Sequence, residues 1–69
     1  MKEAKLWPYT EKTESVMKYF YASLNEKDRR HYAAVEACKL SHGGIEYIAR
    51  LLGCSKQTIY AGIEELEKK

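Results

Sequence analysis

The stretch GGIEYIARLLGCSKQTIYAGIEELEKK, residues 43–69, decides how this chain folds. Apolar residues recur at helical spacing both before and after Gly53, and a glycine there tolerates the positive φ of a tight turn. The pattern predicts two helices, over residues 45–52 and 55–68, with Ser55 as the N-cap of the second. The positions expected to face the core are Ile48, Ala49, Leu52, Ile59, Ile63 and Leu66.

Two more helices are predicted upstream, over residues 13–22 and 26–41. Asn25 can cap the second of them with its side-chain oxygen. Gly43 and Gly44 then supply the permissive dihedrals that end this helix and turn the chain. The stripe expected to be buried comprises Val16, Met17, Phe20, Tyr21 and Leu24 in the first helix and Tyr32, Val35 and Cys38 in the second. Ala33, Ala34 and Ala37 are expected to allow a close neighbour.

The remaining N-terminal residues, 1–12, are interpreted as an arm in front of a domain at 13–69. Leu6, Trp7 and Tyr9 surround Pro8, and the residue before a proline is pushed away from helical geometry. We expect these aromatics to cover the core, with a second subunit or DNA as alternative contacts. The fold class expected is all-α: a small four-helix domain that contains a tri-helical helix-turn-helix.

Length and composition favour binding over catalysis. With 69 residues the chain buries only about 60% of its unfolded surface, and a site for a small molecule needs roughly 300 Å³ or more. We therefore expect neither an enzyme nor a bound cofactor or small-molecule substrate. The net charge is a mild +2 and the pI is about 8.5. Since Cys38 and Cys54 lack CxxC spacing, and no signal-peptide or membrane-spanning pattern is present, the compartment expected is the cytoplasm.

The turn around Gly53 also carries a functional prediction. Ala49 is small where two helices of a DNA-binding helix-turn-helix touch, and Cys54 supplies one of the apolar positions that pin them. In such motifs the N-terminal end of the second helix contacts bases while its C-terminal end leaves the groove. The partner expected is double-stranded DNA. The candidate contacts are Tyr47, Arg50, Ser55, Lys56, Gln57, Thr58, Tyr60 and Ala61.

Individual roles follow from chemistry. The first amides of a helix can hold a phosphate beside Ser55, and Gln57 can present a donor and an acceptor to an adenine edge. Tyr47, Arg50 and Lys56 are candidates for neighbouring phosphates. The acidic C-terminal side chains are expected to point toward solvent or a following domain; they are Glu64, Glu65 and Glu67. The basic run EKDRR, residues 26–30, could lie along the DNA backbone or form a solvated helix face.

The segment SLNEKDRRHYAAVEACKLSHGGIEYIARLLGCSKQTIYAGIEELEKK, residues 23–69, resembles the N-terminal region of bacterial insertion-sequence DDE transposases of the Rhodopirellula type. This resemblance implies a domain that recognises the terminal inverted repeats of its element. The catalytic domain is absent from this chain, because a DDE site needs three carboxylates on two metal ions and the only Asp is Asp28. Tyr60 and Ala61 stand where Arg is expected in many relatives. The matching residues are Leu24, Asn25, Glu26, Arg29, Arg30, Ala33, Ala34, Glu36, Ala37, Gly43, Gly44, Ile45, Ile48, Ala49, Arg50, Gly53, Ser55, Thr58, Ile59, Gly62, Glu65 and Leu66.

Three other interpretations stay open. A free-standing transcription regulator would use the same motif and would dimerise, through the Trp7 arm or the first helix, to span two half-sites. A protein-interaction module would use the exposed tyrosines. A zinc site would need Cys38 and His42, at i and i+4, with Cys54 and His31; burial of Cys54 as an apolar turn residue is the stronger interpretation.

Overall fold

The computed structural model describes residues 8–40 and 43–68, and within these ranges it contains four helices and no strand. The helices are α1 (Glu11–Ser23), α2 (Glu26–Lys39), α3 (Gly44–Leu52) and α4 (Lys56–Lys68). The prediction of a small all-α, four-helix domain is therefore confirmed. Most of the arm falls outside the described residues, including Leu6 and Trp7.

Helix α1 begins at Glu11, two residues before the predicted start. The reason is Thr10, whose Oγ1 accepts a hydrogen bond from the Thr13 amide at 3.2 Å and so acts as the N-cap. The described end of the arm packs on the domain: the Tyr9 ring lies 6.4 Å from that of Tyr47, and its hydroxyl donates to Glu36 at 3.3 Å.

Only part of the predicted stripe of α1 is buried. Met17 is 6% exposed, but Val16 and Phe20 are 59% and 48% exposed. The prediction for these two residues is wrong, because α1 touches the rest of the domain mainly along the face that carries Met17 and Tyr21. Phe20 instead packs its ring edge-on against Tyr32, with centroids 5.2 Å apart.

Helix α2 begins at Glu26 as predicted, with Asn25 Oδ1 accepting from the Asp28 amide at 2.8 Å. It ends at Lys39, two residues earlier than predicted, because Leu40 has extended backbone angles. Of the face predicted to be buried, Tyr32 is half-buried and packs against the core, but Val35 is 48% exposed and Cys38 is exposed, so the prediction is wrong for these two. The buried residues of α2 are Ala33, Ala34, Glu36 and Ala37.

Small residues explain why α2 buries its alanine face. At Gly62 of α4, an added Cβ would lie 2.5 Å from the Arg30 carbonyl oxygen and 3.0 Å from the Ala34 Cβ. At Gly44 of α3, an added Cβ would lie 2.7 Å from the Ala37 carbonyl oxygen. Both neighbouring helices thus approach the backbone of α2 at glycine positions. The role of Gly44 is this close approach, whereas the positive φ predicted for the turn occurs at Gly43, at 76°.

Helices α3 and α4 are joined by Gly53, Cys54 and Ser55. Gly53 has φ 75° and its amide donates to the Ala49 carbonyl at 2.9 Å, which ends α3 as predicted. That this pair of helices forms a DNA-binding motif stays a prediction. The buried apolar core that holds the helices together comprises Met17, Ala33, Ala37, Ile48, Ala49, Leu52 and Ile59.

Of the remaining predicted core positions in α4, Ile63 is half-buried and packs against this core. Leu66 is 39% exposed, so the prediction that it faces the core is wrong. It lies nearly one turn beyond Ile63, near the open end of the α2–α4 pair.

Candidate nucleic-acid interface

The N-terminal half of α4 is held firmly on one side and open on the other. Ile59 is fully buried at 0% exposure and fixes the helix on the core. Lys56 and Gln57 are exposed, and Tyr60, one turn further on, is 55% exposed. These three polar side chains therefore share the outward side of a helix whose position is set by burial of its inner side.

The cap of α4 agrees with the sequence-based expectation. Ser55 Oγ accepts a hydrogen bond from the Thr58 amide at 3.1 Å and lies 3.0 Å from Thr58 Oγ1. Ser55 itself is outside the helix, which begins at Lys56 and not at residue 55. The cap satisfies one of the first amides of α4, and the amides before it are directed toward the same end.

The first turn of α4 differs from those of the other three described helices. The first turns of α1, α2 and α3 each carry at least one acidic residue, while that of α4 carries none. A carboxylate near a helix N-terminus offsets the positive end of the helix dipole. The first turn of α4 supplies no such carboxylate of its own and contains Lys56, which favours an anion at this end.

Arg50 lies at the end of α3 and is exposed. It lines a shallow depression between α1 and α3 together with Glu14, Lys18, Tyr47 and Leu51. Lys18 was not among the predicted contacts. The sequence around Lys18 does not indicate that it lies beside the third helix, because only the packing of α1 on α3 brings it there.

Tyr47 is less open than the sequence suggested. It was expected to contact a phosphate, but it is half-buried and its hydroxyl donates to the Glu14 carboxylate. Burial, followed by the hydrogen bond and the charge of Glu14, raises the pKa of the Tyr47 phenol. The hydroxyl is thus engaged within the domain, joining α3 to α1, and the correction moves Tyr47 to the edge of the candidate interface.

Thr58 and Ala61, the other two predicted contacts, are half-buried. Thr58 lines a hollow with Tyr21, Glu26, Arg29, Arg30 and Cys54. Because Glu26 opens α2 and Thr58 stands in the first turn of α4, the N-terminal ends of these two helices lie side by side. Of the predicted residues on α4 and its cap, Ser55, Lys56, Gln57 and Tyr60 are therefore the exposed ones.

The arginines of the basic run hold helices together. Arg29 donates from Nε to the Tyr21 carbonyl at 3.1 Å and from Nη2 to the Ala22 carbonyl at 2.9 Å. Its guanidinium carbon also lies 5.6 Å from the centroid of the Tyr21 ring. Arg29 thus satisfies carbonyls at the C-terminal end of α1, a role that was not predicted from the sequence. The signal for it was an arginine soon after the predicted end of a helix.

Glu65 corrects the expectation that the acids of α4 point away from the domain. Its Oε1 lies 3.0 Å from Arg30 Nε and 2.9 Å from His31 Nε2, so it ties α4 to α2. The hydrogen bonds from Arg30 and His31 lower the pKa of the Glu65 carboxyl. Glu64 and Glu67 are exposed, as expected. One of the three carboxylates is therefore neutralised within the protein.

The two thiols lie in different surroundings. Cys54 is half-buried beside the Tyr21 hydroxyl, and burial raises the pKa of its thiol. Cys38 is exposed. Within residues 8–40 and 43–68, no three His, Cys, Asp or Glu side chains converge as a metal site, and His42, one of the four ligands considered, lies outside the described residues. No helix in the described part of the chain is long and apolar enough to cross a membrane.

Comparison with known proteins adds no relative: no family model, no curated protein and no solved structure matches this chain.

Proposed function

We propose that this chain binds double-stranded DNA, with the N-terminal half of α4 entering the major groove. The observation that carries the proposal is the combination at the start of α4. It has a capped helix end without an acidic residue in its first turn, and exposed Lys56, Gln57 and Tyr60 on its outward side. An α-helix fits the major groove, and side chains near its N-terminus are placed to meet base edges.

Exposed cations on α4, α3 and α1 support the proposal. Lys56 lies in the first turn of α4, and Arg50 and Lys18 line the depression between α1 and α3. Cations of this kind neutralise phosphates and position a domain on the duplex without reading its sequence. Gln57 is the candidate for direct reading, because its amide can pair with both N6 and N7 of adenine.

The acidic C-terminal half of α4 is compatible with this binding mode. Glu65 is paired with Arg30 and His31, and Glu67 stands ten residues beyond Gln57, about 15 Å along the helix axis. Glu64 is nearer, two turns after Gln57 on the same outward side, and it sets the limit beyond which the helix leaves the groove. The contact region is thus residues 55–61.

The proposed biological role is recognition of the terminal inverted repeats of a mobile element. It rests on the resemblance of residues 23–69 to the N-terminal region of DDE transposases and not on any matched relative. One of the matching residues, Gly62, has a clear structural reason to be glycine. A side chain at this position would collide with the backbone of α2. A transcription regulator that uses the same helix is the alternative role, and selection of binding sites from a pool of randomised duplexes distinguishes single asymmetric sites from paired half-sites.

The direct test is the affinity for a short duplex as a function of salt, measured by fluorescence anisotropy. We expect affinity to fall steeply as salt rises, and Lys56→Gln to weaken binding and reduce the slope of log K against log salt by about 1. Lys68→Gln is the matched control, because Lys68 is an exposed lysine at the other end of the same helix. Equal effects of the two substitutions, or binding that does not respond to salt, would overturn the proposal.

A second candidate function, protein binding, is favoured by one observation on α1. Tyr19 is 81% exposed, and it stands at helical spacing with the exposed Val16 and Phe20. Aromatic side chains grouped on one helix face are typical of protein interfaces. Tyr19→Ala would abolish partner capture under this alternative and leave binding to DNA unchanged.

A further inference from the structure

An apolar groove lies between α2 and α4, near the C-terminal ends of both helices. It is an open groove with a volume of about 280 Å³, lined by Val35, Cys38 and Lys39 from α2 and Ile63, Leu66 and Glu67 from α4. Val35 and Leu66 remain 48% and 39% exposed there. Neither residue faces the core, and both lie where the sequence pattern expected burial.

We propose that this groove is the contact surface for a second copy of the chain, related to the first by a two-fold axis. The first support is charge. Lys39 stands on the α2 wall and Glu67 on the α4 wall, so the two rims carry opposite charges. At a two-fold interface, a contact of residue i of one copy with residue j of the other occurs twice, because j of the first copy also contacts i of the second. An axis that passes through the groove between its two walls can therefore set Lys39 of each copy against Glu67 of the other, and the apolar side chains between them become buried.

The groove leaves the candidate DNA surface open. Successive residues of a helix are about 100° apart around its axis. Gln57 consequently lies about a third of a turn around α4 from Ile63 and about half a turn from Leu66, and Tyr60 lies about a sixth and a third of a turn from the same two residues. The dimer contact and the DNA contact therefore use adjacent sides of the same helix.

The level of the groove along α4 fixes the spacing of the two DNA surfaces, a step that rests on the proposed function. From Lys56 to Leu66 is ten residues, or about 15 Å. If the axis crosses α4 at the level of Leu66, the two copies of α4 run antiparallel and their N-terminal ends stand about 30 Å apart. That distance is close to the roughly 34–36 Å between half-sites on one face of B-DNA. The groove thus places two reading helices one helical turn apart, an arrangement that suits the paired half-sites of the transcription-regulator role.

The face is smaller than that of a tight complex. Stable interfaces bury about 800 Å² on each partner, and a groove with four apolar side chains provides only the centre of such a patch. We therefore expect a weak dimer in the absence of DNA, with a dissociation constant on the order of 100 μM.

The test is sedimentation equilibrium of the full chain without DNA, from about 10 μM to about 1 mM, with a reductant present so that no Cys38 disulfide links the copies. We expect Glu67→Lys to weaken the dimer at least about tenfold, because the introduced ammonium group would face Lys39 of the other copy. Glu67 is exposed in the last turn of α4, so this variant keeps the fold. Lys39→Glu should act likewise, although it also removes the contact of Lys39 with Glu36 at 3.4 Å.

Mixing the Glu67→Lys and Lys39→Glu variants in equal amounts gives the sharpest outcome. In the mixed pair, the two introduced side chains face each other with opposite charges, and the native Lys39 of one chain faces the native Glu67 of the other. We therefore expect dimerisation to return to within about threefold of the original. A chain that stays monomeric up to about 1 mM, or a Glu67→Lys variant that dimerises unchanged, would overturn the proposal.

A methyl NMR comparison of the full chain with a variant that lacks residues 1–7 recognises the other occupant. A monomer in which the methyl resonances of Val35, Ile63 and Leu66 shift on deletion of residues 1–7 would assign the groove to the chain's own arm and overturn the dimer. Because these samples contain no DNA, the two proposals fail separately. A monomer that binds duplex contradicts only the dimer, and a dimer that does not bind duplex contradicts only the DNA proposal.

Discussion

The two halves of α4 differ in what their side chains contact, although both are regular helix. The C-terminal half is fastened to α2, by the close approach at Gly62 and by the contacts of Glu65 with Arg30 and His31. The N-terminal half is fixed by the buried side chain of Ile59 and presents its outward side to solvent. An acid of α4 thus serves the fold in one half, while the absence of acids from the first turn leaves the other half open to an anion.

The largest effect should come from filling the contact at Gly62. In Gly62→Ala the new Cβ would lie 2.5 Å from the Arg30 carbonyl oxygen, so α4 must shift away from α2. We expect the free energy of unfolding to fall by about 3 kcal/mol, as measured by urea denaturation. The control is Ala61→Gly, one residue earlier, which should cost only about 1 kcal/mol through helix propensity. A Gly62→Ala variant as stable as the original would contradict the claim that the close approach at Gly62 fastens the C-terminal half of α4 to α2.

Next in size is the effect of an outward side chain in the N-terminal half. Tyr60→Ala removes a ring that is 55% exposed, so the free energy of unfolding should change by no more than about 0.5 kcal/mol. Affinity for duplex DNA should nevertheless fall roughly tenfold, because a side chain at a base edge is lost. Tyr19→Ala, on α1, is the matched control and should leave DNA affinity unchanged. The reverse ranking of the two tyrosines would favour the protein-binding alternative.

A smaller effect is expected from the helix cap. Ser55→Ala and Thr10→Ala each remove a side-chain oxygen that accepts from an amide three residues later, in α4 and α1 respectively. Both should lower the free energy of unfolding by about 1 kcal/mol. Only Ser55→Ala should also weaken DNA binding, since only α4 is proposed to direct its first amides at a phosphate. Equal DNA affinity of the two variants would show that the cap of α4 takes no part in DNA binding.

The smallest expected effect concerns Glu65 and depends on pH. Its pKa is lowered from the ordinary value of 4.5, so the stability it contributes is present above that pH and is lost as pH falls through the lower value. Glu65→Gln should therefore reduce the thermal midpoint at neutral pH slightly, and the difference should disappear in acid. In an Arg30→Gln background most of the difference should already be absent at neutral pH. A difference that grows in acid would contradict the assignment of the ion pair.

The sequence predicted the helices well because caps and turns are local. Asn25, Ser55 and Gly53 each act within a few residues of their own position, and each does what its residue type indicates. The missed start of α1 has the same local origin, since Thr10 was available as a cap but was assigned to the arm.

The buried face of α2 was predicted only in part, because its alanines were expected to allow a close neighbour but Val35 and Cys38 were expected to be buried. Val35 and Cys38 are more apolar choices for a core than Ala33 and Ala34, yet the alanines are buried. The deciding factor is the distance between helices, which is set by Gly44 and Gly62 far along the chain. Glycines that permit a close approach favour small residues on the facing helix. Which helices face each other depends on residues far apart in the chain, so the apolar periodicity of one helix does not show it.

The candidate site was predicted in part for the same reasons. Lys56, Gln57 and Tyr60 follow from their positions on one helix, and all three are exposed. Tyr47 depends on a carboxylate from α1, and Arg29 and Arg30 on partners in α1 and α4, which no local pattern identifies. The number of basic residues in the sequence is therefore larger than the number whose charged groups are available to DNA.

The measurement that tests the central claim most directly is an NMR titration of the backbone amides with a short duplex, at low and at moderate salt. If α4 docks by its N-terminal half, shifts concentrate at residues 55–61, are small at residues 64–68, and weaken as salt rises. Shifts spread evenly over both halves of α4, or confined to the exposed face of α1, would contradict this binding mode.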